Sequence, residues 1–226
     1  RFVVRRDGVE LFCRFVVTDI AVGDAGVAVT ASDAEQGVGD HLDLRDARQR
    51  LVRQRADVRN LGAGSLEIGK VELGFPVPAD MTELLTTTGH HLRERSPQRQ
   101  PLTIGRFQKA SMVGRPDFDA SLLLNAGRPG FGFTHGDVYA VHVAWSGNSL
   151  MAAERLPYTT GVIGGAEVLA GGEITLHDAA DSYTTRGSTV PSARGSTKSP
   201  HASTPTCAPP MRVGVPSMAL PTSRVR

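Results

Sequence analysis

Between residues 138 and 145 the chain alternates. Tyr139, Val141, Val143 and Trp145 fall on one face, and Val138, Ala140, His142 and Ala144 on the other. A period of two carried by β-branched and aromatic residues predicts a sheet strand. Gly136-Asp137 before it and Ser146-Gly147-Asn148 after it are turn chemistry, so the run 150–156 is expected to return antiparallel as a hairpin. Short β segments are predicted at 2–4, 9–17 and 26–31, separated by Arg-Asp-Gly and Gly-Asp-Ala-Gly turns. Residues 33–46 are polar and contain glycine, which predicts a loop or an edge strand. Val52, Ala56 and Val58 then alternate with Arg53, Arg55, Asp57 and Arg59, the pattern of a strand with one wet face, closed by Asn60-Leu61-Gly62. Leu66, Ile68, Val71 and Leu73 continue with a phase slip at Gly69-Lys70 that predicts a bulge, and Pro76 and Pro78 end the strand. Residues 83–88 and 103–111 read as extended, joined by a polar connection over 89–100; the leucine-rich run 121–126 is expected to be fully buried. Residues 161–169 and 173–176 add short glycine-bounded strands. Nothing predicts a helix of three turns. Many short strands at even spacing predict an all-β fold, a sandwich of antiparallel sheets.

Composition adds a division of the chain. The formal charge of +2 is unevenly placed: from residue 186 onward there are five Arg, one Lys and no acidic residue, a net of +6 that leaves about −4 for residues 1–185. The pI near 8.8 is therefore set by the tail, and it does not argue for a nucleic-acid partner. Residues 186–226 are rich in Pro, Ser and Thr and hold no aromatic residue, so they are expected to be a disordered tail behind a sandwich domain at 1–185. Cys13 and Cys207 are the only cysteines, which supports neither a disulfide framework nor a cysteine metal site and fits a reducing cytoplasm. No signal segment and no run of about 18 apolar residues is present, so no membrane partner is expected. The chain begins with Arg rather than Met, and reads as a fragment or a processed product, incomplete at its start.

Candidate chemistry is sparse. His135 and His142 are metal ligands only if a third partner joins them, and as a surface and a half-buried histidine they need none. His90-His91 with Glu94, beside Arg93 and Arg95, is either a site on a loop or a solvated loop. Trp145-Ser146-Gly147 lacks the nucleophile-elbow pattern, and Gly127, Gly130 and Gly132 match no phosphate loop. Asp117 and Asp119 fit turn chemistry better than an acid–base pair, and Trp145 fits the core better than a sugar platform. Read residue by residue, the chain shows a β-sandwich and no catalytic constellation, metal or cofactor.

Over residues 60–185, however, the chain resembles the N-terminal domain of bacterial α-galactosidases of glycoside hydrolase family 36. The resemblance rests on Thr82-Glu83-Leu84-Leu85, Thr88-Gly89, Arg93-Glu94-Arg95, Pro97-Gln98-Arg99 and Pro101-Leu102. It continues with Pro129-Gly130-Phe131-Gly132-Phe133, with Val141-His142-Val143-Ala144-Trp145-Ser146-Gly147-Asn148, and with Ala153-Glu154-Arg155. One departure stands out: the family pattern carries a tryptophan two positions after Gly89, where this chain has His91. The resemblance implies a β-supersandwich like that of galactose mutarotases, set before a catalytic barrel that holds two aspartates and hydrolyses terminal α-galactosides with retention. It implies no catalytic residue and no cofactor in this chain. It implies as partners an α-galactoside in the intact enzyme, the enzyme's own barrel and further copies of the chain. His91, Glu94 and Arg95 are the residues expected to approach the sugar.

The family also continues past this point with Pro-Trp-Leu-Tyr. Dropping one base from codons for Pro-Trp-Leu-Tyr-Gly-Ser yields Arg-Gly-Ser-Thr-Val-Pro, the residues at 186–191. Residues 186–226 are thus expected to be translated out of frame. Two other readings stay open: an aldose-epimerase-like mutarotase in which His142 and Glu154 meet on adjacent strands, and a non-catalytic carbohydrate-binding module.

Overall fold

The computed structural model describes residues 1–195 except 49–50, 119–121, 133 and 159. Its elements are β1 (Phe2–Arg6), β2 (Val9–Leu11), β3 (Val16–Gly23), β4 (Gly26–Asp33), β5 (Val38–Arg48), β6 (Leu51–Asn60), β7 (Leu66–Val77), β8 (Glu83–His90) and β9 (Arg93–Pro101). They continue with β10 (Gly105–Ser111), β11 (Leu123–Gly127), β12 (Gly136–Val143), β13 (Ser149–Arg155), β14 (Gly161–Val168), β15 (Thr175–Leu176), β16 (Ser182–Thr184) and β17 (Ser188–Gly195). Among the described residues these form two antiparallel sheets and no helix. One has the order β10-β13-β14-β7-β1-β2, with β15 on β7; the other runs β3-β4-β5-β6-β17-β12-β11-β8-β9, with β16 on β6.

The two inner faces bury each other. Phe75, Val77 and Ile163 of the first sheet share a cluster with Leu84, Leu124, Val141 and Val143 of the second. A second cluster joins Val4, Leu66, Ile68 and Val71 to Val38, Ala56 and Val58. Trp145 packs against both clusters and closes its own polar requirement by donating Nε1–H to the Asn148 carbonyl at 2.9 Å. The alternation over 138–145 therefore means what its period suggests: Val141 and Val143 point into the core and His142 points out.

Several expectations are corrected. The strand at 150–156 does not return beside β12: β13 belongs to the opposite sheet, and the Ser146–Asn148 turn carries the chain across the sandwich. Residues 33–46 are a loop only over the turn at 34–37; from Val38 they form β5, which is not an edge because it lies between β4 and β6, with the polar positions Asp43 and Arg45 on its wet face. The connection over 89–100 is largely the strand β9, which apolar periodicity missed because every residue from Arg93 to Arg99 is exposed. Leu123 is 43% exposed, so the run at 121–126 alternates instead of being wholly buried; Ser121 lies outside the described residues. The slip at Gly69 is a bulge, since Val3 faces Lys70 and Val4 faces Ile68.

The chain also stays ordered past residue 185. β17 runs from Ser188 to Gly195 and pairs with β6 on one side and β12 on the other. A strand in mid-sheet is held by its backbone, so a Ser/Thr-rich sequence can fill it. The rest of the tail, 196–226, lies outside the described residues. Entry into β17 is pinned by Glu167, a buried carboxylate that accepts hydrogen bonds from the Tyr183 hydroxyl (2.8 Å), the Arg186 N–H (2.6 Å) and the Gly187 N–H (3.3 Å). Burial, reinforced by this hydrogen bond and the negative charge behind it, raises the Tyr183 phenol well above its ordinary value.

Two measurements test these points. Glu167→Ala strands three donors and is expected to cost about 2–4 kcal/mol in urea unfolding, with Glu167→Gln costing less; an Ala variant as stable as the parent would refute the anchoring role. Burial lifts the half-buried Asp40 carboxyl to about 6, and its Oδ1 meets no hydrogen-bond partner among the described residues. The folded chain thus binds this proton more tightly than the unfolded chain, whose value lies near 4. Stability should fall as pH rises from about 4 to 6, by roughly 1–2 kcal/mol after allowing for partial solvation. Asp40→Asn should remove that slope and be the more stable form at pH 7.

Candidate functional site

The three residues singled out for sugar contact lie on the β8–β9 hairpin. Its base is tied to the loop before β12. Arg99 pairs with Glu83 at 2.7 Å, donates Nη2–H to the Phe131 carbonyl at 2.6 Å, and lies 4.5 Å above the Phe131 ring. The Gly130 N–H donates to the other oxygen of Glu83. The Arg99 bond, then the Gly130 N–H, holds the Glu83 carboxyl below its usual range, so this knot keeps its charge through neutral pH. The fragments Thr-Glu-Leu-Leu, Pro-Gln-Arg and Pro-Gly-Phe-Gly of the sequence pattern therefore meet in space and root the hairpin.

At the tip the chain turns through His91 and Leu92, the latter at φ 67°. Gly89 permits the return: a Cβ there would sit 2.4 Å from the Arg93 carbonyl oxygen. Glu94 accepts the Leu92 N–H at 2.8 Å, and its carboxylate lies 4.0 Å from His91 Nδ1. The His91 ring tilts against Phe118 with centroids 5.9 Å apart. The structure thus brings His91 and Glu94 together, and places Arg95 one residue further on, exposed and at φ 57°. This is a presenting tip. Its carboxylate caps its own turn by accepting the Leu92 N–H.

A different constellation emerges on the outer face of the first sheet, where it was not anticipated. Arg106 of β10 bridges Glu72 of β7 at 2.9 Å and Glu154 of β13 at 3.1 Å, with Lys70 and Arg1 completing the network. Arg1, Glu72, Arg106 and Glu154 line a cavity of about 220 Å³ with Leu156 and Val162 in its apolar wall. Burial opposes the charge on Glu72, but bonds and attraction from Arg106 and Lys70 prevail and keep it below the usual carboxylate range; Arg1 and Arg106 do the same for Glu154. Both groups remain ionised acceptors with no proton to deliver. Their role is to clamp three strands. Glu72 and Arg106 carry no sequence signal because the strands that unite them are not neighbours in the chain.

The same geometry overturns the epimerase-like arrangement. Glu154 points away from the core on one sheet, and His142 points outward from the other, so the body of the sandwich separates them. His135 closes the loop before β12 by bonding the Gly130 carbonyl at 2.9 Å; it stands roughly 20 Å of extended strand from His142. Among the described residues no group of three His, Cys, Asp or Glu converges as a metal site. Asp119 lies outside them, so its pairing with Asp117 has no description. Trp145 is core, and the Tyr183 hydroxyl is bound to Glu167, so neither ring is presented as a sugar platform.

Comparison with known proteins fits this architecture. A sequence model of the glycosyl hydrolase family 36 N-terminal domain matches residues 1–177. An α-galactosidase of Escherichia coli is 28% identical over 149 residues, covering 66% of this chain and 21% of the relative. The fold matches a family 36 α-galactosidase of Geobacillus stearothermophilus with a TM-score of 0.71 at 16% identity, over 86% of this chain and 30% of that one. A substituted form of that enzyme in complex with raffinose superposes equally well, with the same TM-score, identity and coverage. An α-galactosidase of Lactobacillus brevis gives 0.68 at 18% identity, over 86% and 29%. The chain thus spans under a third of the length of these relatives. It belongs to the family of glycosyl hydrolase family 36 N-terminal domains.

Proposed function

We propose that this chain is the non-catalytic β-sandwich of an α-galactosidase that hydrolyses terminal α-D-galactosides with retention, in carbohydrate catabolism. The observation that carries the reading is the family match over residues 1–177 in a chain that spans 21% of its E. coli relative. The two catalytic aspartates then belong to a barrel outside this sequence, which the sandwich supports. The cytoplasm is the expected compartment, and association of several copies the expected state of the whole enzyme. Within the domain, His91, Glu94 and Arg95 are assigned to the substrate side. The exposed, rooted hairpin supports this: it can reach a neighbouring site without disturbing the core. Residues 186–226 are read as an out-of-frame product, a reading that rests on the codon offset at 186–191.

Purified chain is expected to release no p-nitrophenol from p-nitrophenyl α-D-galactoside above buffer, and not to accelerate galactose mutarotation. Hydrolysis abolished by Glu154→Gln would place the chemistry here instead. In the enzyme obtained by restoring the frame, His91→Ala and Glu94→Ala should raise KM for raffinose about three- to tenfold with kcat little changed, since a tip that only binds contributes equally to ground and transition states. Unaltered KM in both variants would remove the hairpin from the site. Sequencing the locus decides the frame: an intact gene in the present frame, with no barrel downstream in the next, would end that proposal.

A further inference from the structure

We propose that the outward face of the β5–β6 hairpin is a binding site for a tetrahedral phosphate-type dianion, held by Arg45, Arg53 and Arg55. These three residues and Asp43 line a cavity of about 170 Å³ on the wet side of the second sheet. Register places Arg45 directly opposite Arg53, and Asp43 opposite Arg55. Like charges directly across a strand pair are destabilising, so the arrangement carries an electrostatic cost that an anion between the guanidiniums would relieve.

Ion pairing among the described residues covers only part of this charge. Asp43 is engaged by Arg45 Nε at 2.7 Å. The nearest other carboxylate on the face, Asp57, is taken by Arg59 at 2.9 Å. Arg53 Nη2 and Arg55 Nε both reach toward the Arg186 carbonyl oxygen, each at 3.4 Å, which is long for a hydrogen bond but shows that the two planar groups converge. Three guanidiniums against one carboxylate leave the cavity at +2. Residues 186–226 contain no acidic side chain that might neutralise it.

Shape and charge then select the ligand class. Gly26 and Ala28 of β4 stand beside Arg45 and Asp43, and Gly187 and Thr189 flank Arg55 and Arg53, so small residues keep the depression open on both sides. Planar forks with several free N–H groups bind phosphate oxygens bidentately. A phosphate monoester near pH 7 carries about −1.5 to −2 and its dianion matches +2, as does the dianion of inorganic phosphate once pH is slightly above neutral, where a single carboxylate would leave half of it unbalanced. Inorganic phosphate and a phosphate monoester share this chemistry, and the site's small neighbours exclude neither.

Isothermal titration of the full chain, at an ionic strength fixed with chloride, tests the site with inorganic phosphate and with a hexose phosphate as probes. Saturable binding at one site per chain is expected, weakened about tenfold or more by Arg53→Gln combined with Arg55→Gln and unchanged by Arg115→Gln on the loop after β10. Asp43→Asn, which removes the one carboxylate, should tighten binding severalfold, and this variant decides the matter if the double variant does not fold. Tighter binding of the ester than of phosphate assigns the site to phosphate esters, and equal binding to the free anion; either supports the proposal. Absence of saturable binding, affinity unchanged in the double variant, or weakening by Asp43→Asn would overturn it.

Discussion

The second sheet is one sheet only because β17 lies between β6 and β12. Among the described residues no other strand joins β3-β4-β5-β6 to β12-β11-β8-β9, so both halves depend on the backbone ladder of residues 188–195. Backbone pairing needs little from side chains, which is why a segment of Ser, Thr and Val suffices. What it needs is a fixed entry point. Glu167 supplies that point from the opposite sheet, by accepting the N–H groups of Arg186 and Gly187 at the corner where the chain turns into the ladder. A buried carboxylate is costly unless donors surround it, and here the donors are the chain it positions.

From this constraint follows the division between inside and outside. With both halves of the second sheet in line, its inner face meets the first sheet along two apolar clusters, and Trp145 packs against both of them. Three charged constellations among the described residues lie on an outer face or at a hairpin tip. The Glu72–Arg106–Glu154 clamp lies outside one sheet, the Arg45–Arg53–Arg55 cavity outside the other, and the His91–Glu94 pair at the end of β8 and β9. None of these brings together a general acid and a general base.

Strand periodicity was legible wherever one face was apolar. The phases of 52–58 and 138–145, the bulge at Gly69 and the all-β class all follow from a side-chain period of two, a local property of the chain. The residues of the hairpin tip were legible too, through their place in a family pattern. By contrast β9 was hidden because an exposed edge strand needs no apolar residue, and the order of β17 was hidden because its partners, not its composition, hold it.

Which non-adjacent strands share a sheet, and with that which distant polar residues meet, was settled by the packing of the whole domain. Whether the turn at Ser146–Asn148 returns in the same sheet or crosses to the other depends on long-range burial, to which the local sequence is nearly indifferent. That choice put His142 and Glu154 on opposite outer faces and gathered Glu72, Arg106 and Glu154 from three strands. Local alternation was enough for the strands with one apolar face, and motif order for the family; the packing of strands distant in the chain was needed to assemble the Glu72–Arg106–Glu154 cluster, because its three members come from β7, β10 and β13.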